Sequence, residues 1–194
     1  AEQTGAGLGR IMWKDLNGDG KITEADQDWI YNPVPAISYG LNVYLEYFGF
    51  DLTLFFQGVQ GVDIISDLKK ETDLWSGLNI SNLNKGTRLL DAWSPTNTDS
   101  DIPALSIADN NNEKRVSSYW VEDGSYLKLK NIQLGYNLPE KALQKLHMER
   151  WRFFVSAQNV FTIHSRSFTG VDPENPNYGY PNALNITVGT SLNF

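Results

Sequence analysis

Hydrophobic and polar positions alternate with a period of two along five stretches of this chain, and the pattern is lost between them. Residues 184–194, LNITVGTSLNF, set Leu184, Ile186, Val188, Thr190 and Leu192 against Asn185, Thr187, Gly189, Ser191 and Asn193. A β-strand sends successive side chains to opposite faces, so this segment has one apolar and one polar face. ISYGLNVYLEY (37–47) does the same, with Ile37, Tyr39, Leu41, Val43, Leu45 and Tyr47 together. After Phe48-Gly49 comes FDLTLFFQG, where Phe50, Leu52, Leu54 and Phe56 oppose Asp51, Thr53, Phe55 and Gln57. The short turn predicts a hairpin with matching apolar faces. In YLKLKNIQLGYNL (126–138), Leu127 and Leu129 keep one parity, while Ile132, Leu134, Tyr136 and Leu138 keep the other. The shift across Lys130-Asn131 predicts a bulge with one inserted residue. A further strand is expected over 151–163, with Trp151, Phe153, Val155 and Ala157 on one side.

The connections read long, short, long, short, long, counting the amino-terminal segment. Residues 59–123 are polar and irregular, with helical turns expected at 68–74 and 83–90, and 164–183 are rich in Pro, Asn and Gly. Residues 139–149, PEKALQKLHME, predict one helical turn with Pro139 at its first position. Short turns therefore fall at one end of the sheet and long loops at the other, as in transmembrane barrels. Strands of about ten residues also match the ~9–11 needed to cross hydrocarbon, against ~5–6 in a typical globular strand. The carboxyl-terminal stretch ends on Phe194 and is similar to the closing strand of bacterial outer-membrane barrels, where such a terminus is an assembly signal.

Residues 15–26, DLNGDGKITEAD, carry the sharpest chemical motif. Asp15, Asn17, Asp19, Lys21, Thr23 and Asp26 occupy positions one, three, five, seven, nine and twelve, with Gly20 at six. This is the spacing of an EF-hand-type calcium loop, in which Lys21 lends a carbonyl and Thr23 acts through water. Asp26 is shorter than the usual bidentate Glu, which weakens or reshapes the site. A metal-free turn rich in Asp, Asn and Gly has the same composition. Asn32-Pro33-Val34-Pro35 then breaks the chain, so no paired helix-loop-helix switch is expected. The expected organisation is an extracellular loop with this motif over 1–35, then strands over 36–194 with long loops at 59–123 and 164–183.

Composition narrows the classes further. No run approaches the ~20 apolar residues of a spanning helix. A net charge of -7 argues against a nucleic-acid partner. The chain has no cysteine and two histidines, His147 and His164, far apart in sequence, which removes disulfide, zinc-thiolate and cysteine-nucleophile chemistry. The start, AEQTGAGLG, lacks the order of a signal peptide and reads as a mature or cut end. Tyr39, Tyr47, Tyr136, Trp151 and Phe194 near strand ends fit an interfacial girdle. Trp75, Trp93 and Trp120 in the long loop either pack it or offer a face to a sugar or a partner. Glu122-Asp123 has no positioned catalytic partner.

DLNGDGKIT, the NPxP break and YGLNVYLEYFGFDLTLFFQGVQG together resemble the carboxyl-terminal region of SusC/RagA-type TonB-linked outer-membrane transporters. WVEDGSYLKLKNIQLGYNLP, FVSAQNVFT and the final LNF extend the resemblance over almost the whole chain, in order. The resemblance implies an all-β transmembrane antiparallel barrel of twenty-two strands, of which about the last five are present, with a plug elsewhere. It further implies import of oligosaccharides or peptides with a SusD-like lipoprotein, energised through TonB, in an outer membrane whose lipid meets the apolar faces. Five strands cannot close, so a fragment or piece of a longer transporter is expected. The competing readings are a soluble extracellular calcium-binding carbohydrate-binding or adhesion module with a β-sandwich and, more remotely, a glycoside hydrolase.

Overall fold

The computed structural model describes residues 1–74, 85–176 and 179–194. In chain order the strands are β1 (Ile37–Tyr47), β2 (Phe50–Gln60), β3 (Asp63–Ile65), β4 (Val121–Asp123), β5 (Tyr126–Asn137), β6 (Arg150–His164) and β7 (Asn185–Asn193). Helix α1 (Asp67–Asp73) follows β3, and α2 (Glu140–Leu146) lies between β5 and β6. The chain divides into two compact units, one of Ala1–Tyr31 with Ile64–Glu122, the other of Asn32–Asp63 with Asp123–Phe194. The first 31 residues thus fold with the long loop, whereas the boundary expected from the sequence fell at 35/36. The long loop also contains strand: β2 runs to Gln60, and β3 and β4 form a two-stranded ribbon.

The second unit is built on an antiparallel sheet in the order β1-β2-β5-β6-β7. Its register sorts side chains in rows. Leu45, Leu52, Leu134, Val155 and Val188 lie opposite one another across all five strands, and the next apolar row is Val43, Leu54, Ile132, Ala157 and Ile186. Between them on the other face run Tyr44, Thr53, Gln133, Ser156 and Thr187. No element covers the apolar face among the described residues: Leu45 is 57%, Leu134 44% and Val188 79% accessible, and Val43, Leu52, Leu54, Ile132 and Ala157 are half-buried. An apolar surface this continuous marks contact with another protein or a membrane. In a soluble sandwich it would form the core.

Two local devices keep the register. Phe48 (φ 48) and Gly49 (φ 81) join β1 to β2, the pair of positive φ values that suits the right-handed twist of a two-residue hairpin. The ladder shifts between Phe55 and Phe56, which leaves Lys130 inserted relative to β2, and β6 in turn sets Asn159 and Val160 against that one residue. That bulge returns Leu129 to the face of Phe56 and Phe161. Helix α2 has seven residues, longer than the single turn expected, and Pro139 is its cap. The extended Pro139 (ψ 148) turns its carbonyl to the Ala142 and Leu143 amides, so the helix starts one residue later. No helix among the described residues is long and apolar enough to cross a membrane, which says nothing about strands.

The first unit has a small apolar core of Leu74, Leu89, Ile102 and Trp120. Ser66 caps α1 by accepting from the Lys69 amide at 3.2 Å. Much of the remaining cohesion is polar. The Asn111 side chain donates to the Ile11 carbonyl (2.8 Å), Glu113 accepts from the Ile11 amide (2.9 Å) and pairs with Arg10 (2.7 Å), and Gln3 accepts from the Trp13 amide (2.9 Å). Asn111 and Glu113 are each 2% exposed, so these bonds replace lost water and fasten residues 10–13 to the long loop.

Candidate functional site

In the first unit, residues 15–26 close into a tight coil. Gly18 (φ 76) and Gly20 (φ 82) take left-handed conformations with open space around them. The Asp15 carboxylate accepts from the amides of Gly18 (2.7 Å) and Gly20 (2.9 Å), Asn17 from Asp19 (2.9 Å), and Asp19 from Lys21 (2.8 Å). Asp26 reaches back to the start of the coil, accepting from Leu16 (2.9 Å) and from Thr23 (2.7 Å). Hydrogen bonds from the Thr23 and Leu16 amides hold its carboxyl below the ordinary range. Thr23 caps the short turn Glu24–Asp26 in a capping box. The loop therefore holds its own amides. Among the described residues no three acidic or histidine side chains gather in reach of one metal ion. The donor set is nonetheless all oxygen, and a carboxylate oxygen that accepts one N–H keeps a second lone pair for a hard cation.

Beside this coil lies a cavity of about 630 Å³ whose wall includes Trp13, Thr23, Asp26, Trp29, Arg115 and Tyr119. The Trp13 indole is fixed by its Nε1 donating to the Asn111 carbonyl (3.3 Å), and the Arg115 guanidinium sits over its ring at 3.9 Å. Tyr119 donates to Asp73 at 3.1 Å; burial, then the charge of Asp73, push its hydroxyl far above the ordinary range. Trp13, Trp29 and Arg115 were not singled out from the sequence. Only proximity to the calcium-type motif could have pointed to the two tryptophans, and the pairing of residues 13 and 115 is a tertiary contact.

Trp120 is wholly buried, with its indole N–H on the Arg115 carbonyl at 3.0 Å, so it packs the loop and presents no free face. Trp93 is half-buried against Gly9, where a side-chain carbon would collide with the indole. Trp75 lies outside the described residues.

The polar face of the sheet carries two ionic clusters. Near the short-turn rim, Arg152 is bound to Asp51, with Nε at 2.9 Å, and Asn137 adds a bond to the same carboxylate at 3.2 Å. They meet over Gly135, where any side-chain carbon would touch both Arg152 and Asp51. Toward the other rim, Lys128 Nζ meets Asp172 at 2.8 Å and Glu174 at 2.9 Å, and Lys130 meets Glu174 at 2.7 Å. The 165–183 loop is thereby tied to β5. Burial raises the Asp172 and Glu174 carboxyls, but hydrogen bonds from the lysines outweigh it and hold both below the ordinary range. At the short-turn rim the aromatics pair: Tyr47 with Phe48 (4.3 Å), Phe50 with Tyr136 (4.6 Å) and Trp151 with Phe153 (4.9 Å). Tyr39 lies across from Gly58 at the other rim, and Phe194 is exposed just past β7.

No family model matches the chain. Among curated proteins it is 38% identical to TonB-dependent receptor P3 of Formosa agariphila over 202 residues, covering 96% of this chain and 19% of that protein. It is 27% identical to TonB-dependent receptor SusC of Bacteroides thetaiotaomicron, over 94% of this chain and 17% of that protein. The chain thus spans about a fifth of the length of the curated relatives it matches. Its fold superposes on a solved RagAB peptide importer in the 'closed-closed' state with a TM-score of 0.70 and 26% identity, over 89% of this chain and 19% of the importer chain. Five-strand sheet, exposed apolar rows, loop parity and these likenesses agree: the chain belongs to the SusC/RagA family of TonB-dependent outer-membrane transporters and corresponds to their carboxyl-terminal region.

Proposed function

We propose that this chain forms part of the wall of a closed outer-membrane barrel that imports a nutrient, an oligosaccharide or a peptide. The carrying observation is the pair of apolar rows, five residues wide and half-buried to exposed, with a polar face behind them. The apolar face meets lipid and the polar face lines the lumen. The outer edges of β1 and β7 each lack a neighbour among the described residues, and backbone groups unpaired in hydrocarbon cost several kcal/mol each. Further strands, twenty-two in all, complete the barrel. The long loops face outward toward a SusD-like surface lipoprotein, and TonB supplies the energy from the other side. Members of the family are transport proteins, not enzymes, and no part of this reading needs a catalytic residue. The coil at 15–26 holds calcium through Asp15, Asn17, Asp19, Asp26 and the Lys21 carbonyl, with Thr23 acting through water, as a structural ion that stiffens the first unit.

Substitution tests the orientation. Leu54→Arg places a charge in the second apolar row and is expected to cost about 2–4 kcal/mol near the bilayer midplane. Thr53→Arg, one residue away on the polar face, costs much less. Unfolding of the full-length barrel in lipid measures both, and equal costs would overturn the orientation.

A further inference from the structure

The 630 Å³ cavity of the first unit contains polar groups that the fold leaves unused. Its two acids are engaged, Asp26 by the Leu16 and Thr23 amides and Asp28 by the Trp29 amide at 2.7 Å. Arg115 has no carboxylate or other hydrogen-bond partner for its guanidinium among the described residues. Among the described residues its side-chain interaction is with Trp13, where Cζ sits 3.9 Å from the ring centroid, and this contact leaves its N–H groups unused. Ser117, in the same wall and 8% exposed, has a buried hydroxyl with no hydrogen-bond partner among the described residues. A buried hydroxyl left unbonded is unfavourable, and a guanidinium whose N–H groups are unused can grip a planar anion through two parallel N–H bonds. Lys14, exposed in the wall, adds a second positive charge.

We propose that this cavity is a binding site for a short peptide, gripped by a carboxylate on Arg115 and Ser117 with an adjoining apolar side chain in the cavity. The carboxylate is that of a peptide carboxyl terminus or of an acidic side chain. A peptide fits better than a sugar because Met12, Ile22, Ile30 and Val116 supply aliphatic wall that cannot bond the hydroxyls of a saccharide. One face of Trp13 is taken by Arg115, and the exposed Trp29 ring in the same wall offers an apolar platform for the side chain next to the carboxylate. This inference rests on the nutrient-import reading for the source of the ligand, but the binding it describes is measurable without transport.

The test is calorimetric titration of the full-length protein in detergent with three probes: acetyl-Ala-Ala-Leu as free acid, the same peptide as carboxyl-terminal amide, and trigalacturonate. The free acid is expected to bind at least about tenfold tighter than the amide, the effect of one charge-assisted bidentate contact. Arg115→Gln should erase that ratio, and Arg115→Lys should keep only part of it because the charge survives without the fork. Ser117→Ala should lower free-acid affinity with Arg115 intact. A merely structural role for Arg115 would weaken both peptides alike and leave their ratio unchanged. Equal binding of acid and amide, or Arg115-dependent binding of trigalacturonate without the peptide, overturns the proposal. Lost uptake with the acid-to-amide ratio intact would count against the import reading and support the assigned ligand.

Discussion

Asp26 shows how one side chain organises a loop. Its two carboxylate oxygens hold the Leu16 and Thr23 amides and so close a coil that two glycines allow to turn. Asn at this position has a single acceptor oxygen, so Asp26→Asn leaves one of those amides without its partner. Because the folded carboxyl is depressed, its contribution is complete above the ordinary Asp range and is lost as pH falls through the lower, folded value. Calcium is expected to protect the 15–26 coil from proteolysis at millimolar concentration, as extracellular modules require. Asp15→Ala together with Asp19→Ala should remove that protection. Cleavage rates indifferent to calcium in the unaltered protein would leave only a self-satisfied Asx-rich turn.

At the scale of elements, the connection between β6 and β7 is tied to β5 by ion pairs, beside the buried Phe168. Lys128 is 2% exposed and Asp172 5%, so their pair is shielded from water, and Glu174 joins it to Lys130. Removing one member of a buried pair strands the other, at about 3–5 kcal/mol. Lys128→Met is therefore expected to free the 165–183 loop, seen as faster amide exchange there with unchanged exchange in the strands. Acid should do the same to the unaltered protein. Asp172 and Glu174 have depressed folded values, so the latch is intact at neutral pH and opens only as pH falls below the ordinary carboxylate range. Loop protection that persists, relative to the strands, once pH is well below the ordinary carboxylate range of about 4 would contradict the latch.

At the scale of the whole molecule, β7 pairs with β6 on one side and has no neighbour on its other edge among the described residues, the edge through which the proposed barrel would close. Phe194, exposed beyond β7 at the short-turn rim, suits an interfacial aromatic that the barrel assembly machinery reads. Deleting Phe194 is expected to lower the amount of heat-modifiable, folded barrel in the outer membrane while uptake per folded molecule stays normal. Normal folded yield after the deletion would refute the assembly role.

Alternation along 37–58, 126–138, 151–163 and 184–194 determined the strands, their faces and the hairpin, because side-chain direction in a strand depends only on position. The parity slip at Lys130 likewise located the bulge, and the Asp, Asn and Gly spacing of 15–26 announced the coil. None of these needs a distant partner. Tertiary structure decided what depends on two remote segments meeting. It folded residues 1–31 with 64–122 through Gln3, Ile11, Asn111 and Glu113, where the sequence shows only a break at the prolines. It also buried Trp120, set Arg115 over Trp13, and tied Asp172 to Lys128 across 44 positions. Such pairings leave no periodic trace, because each joins residues whose separation along the chain is unrelated to any repeat of the backbone.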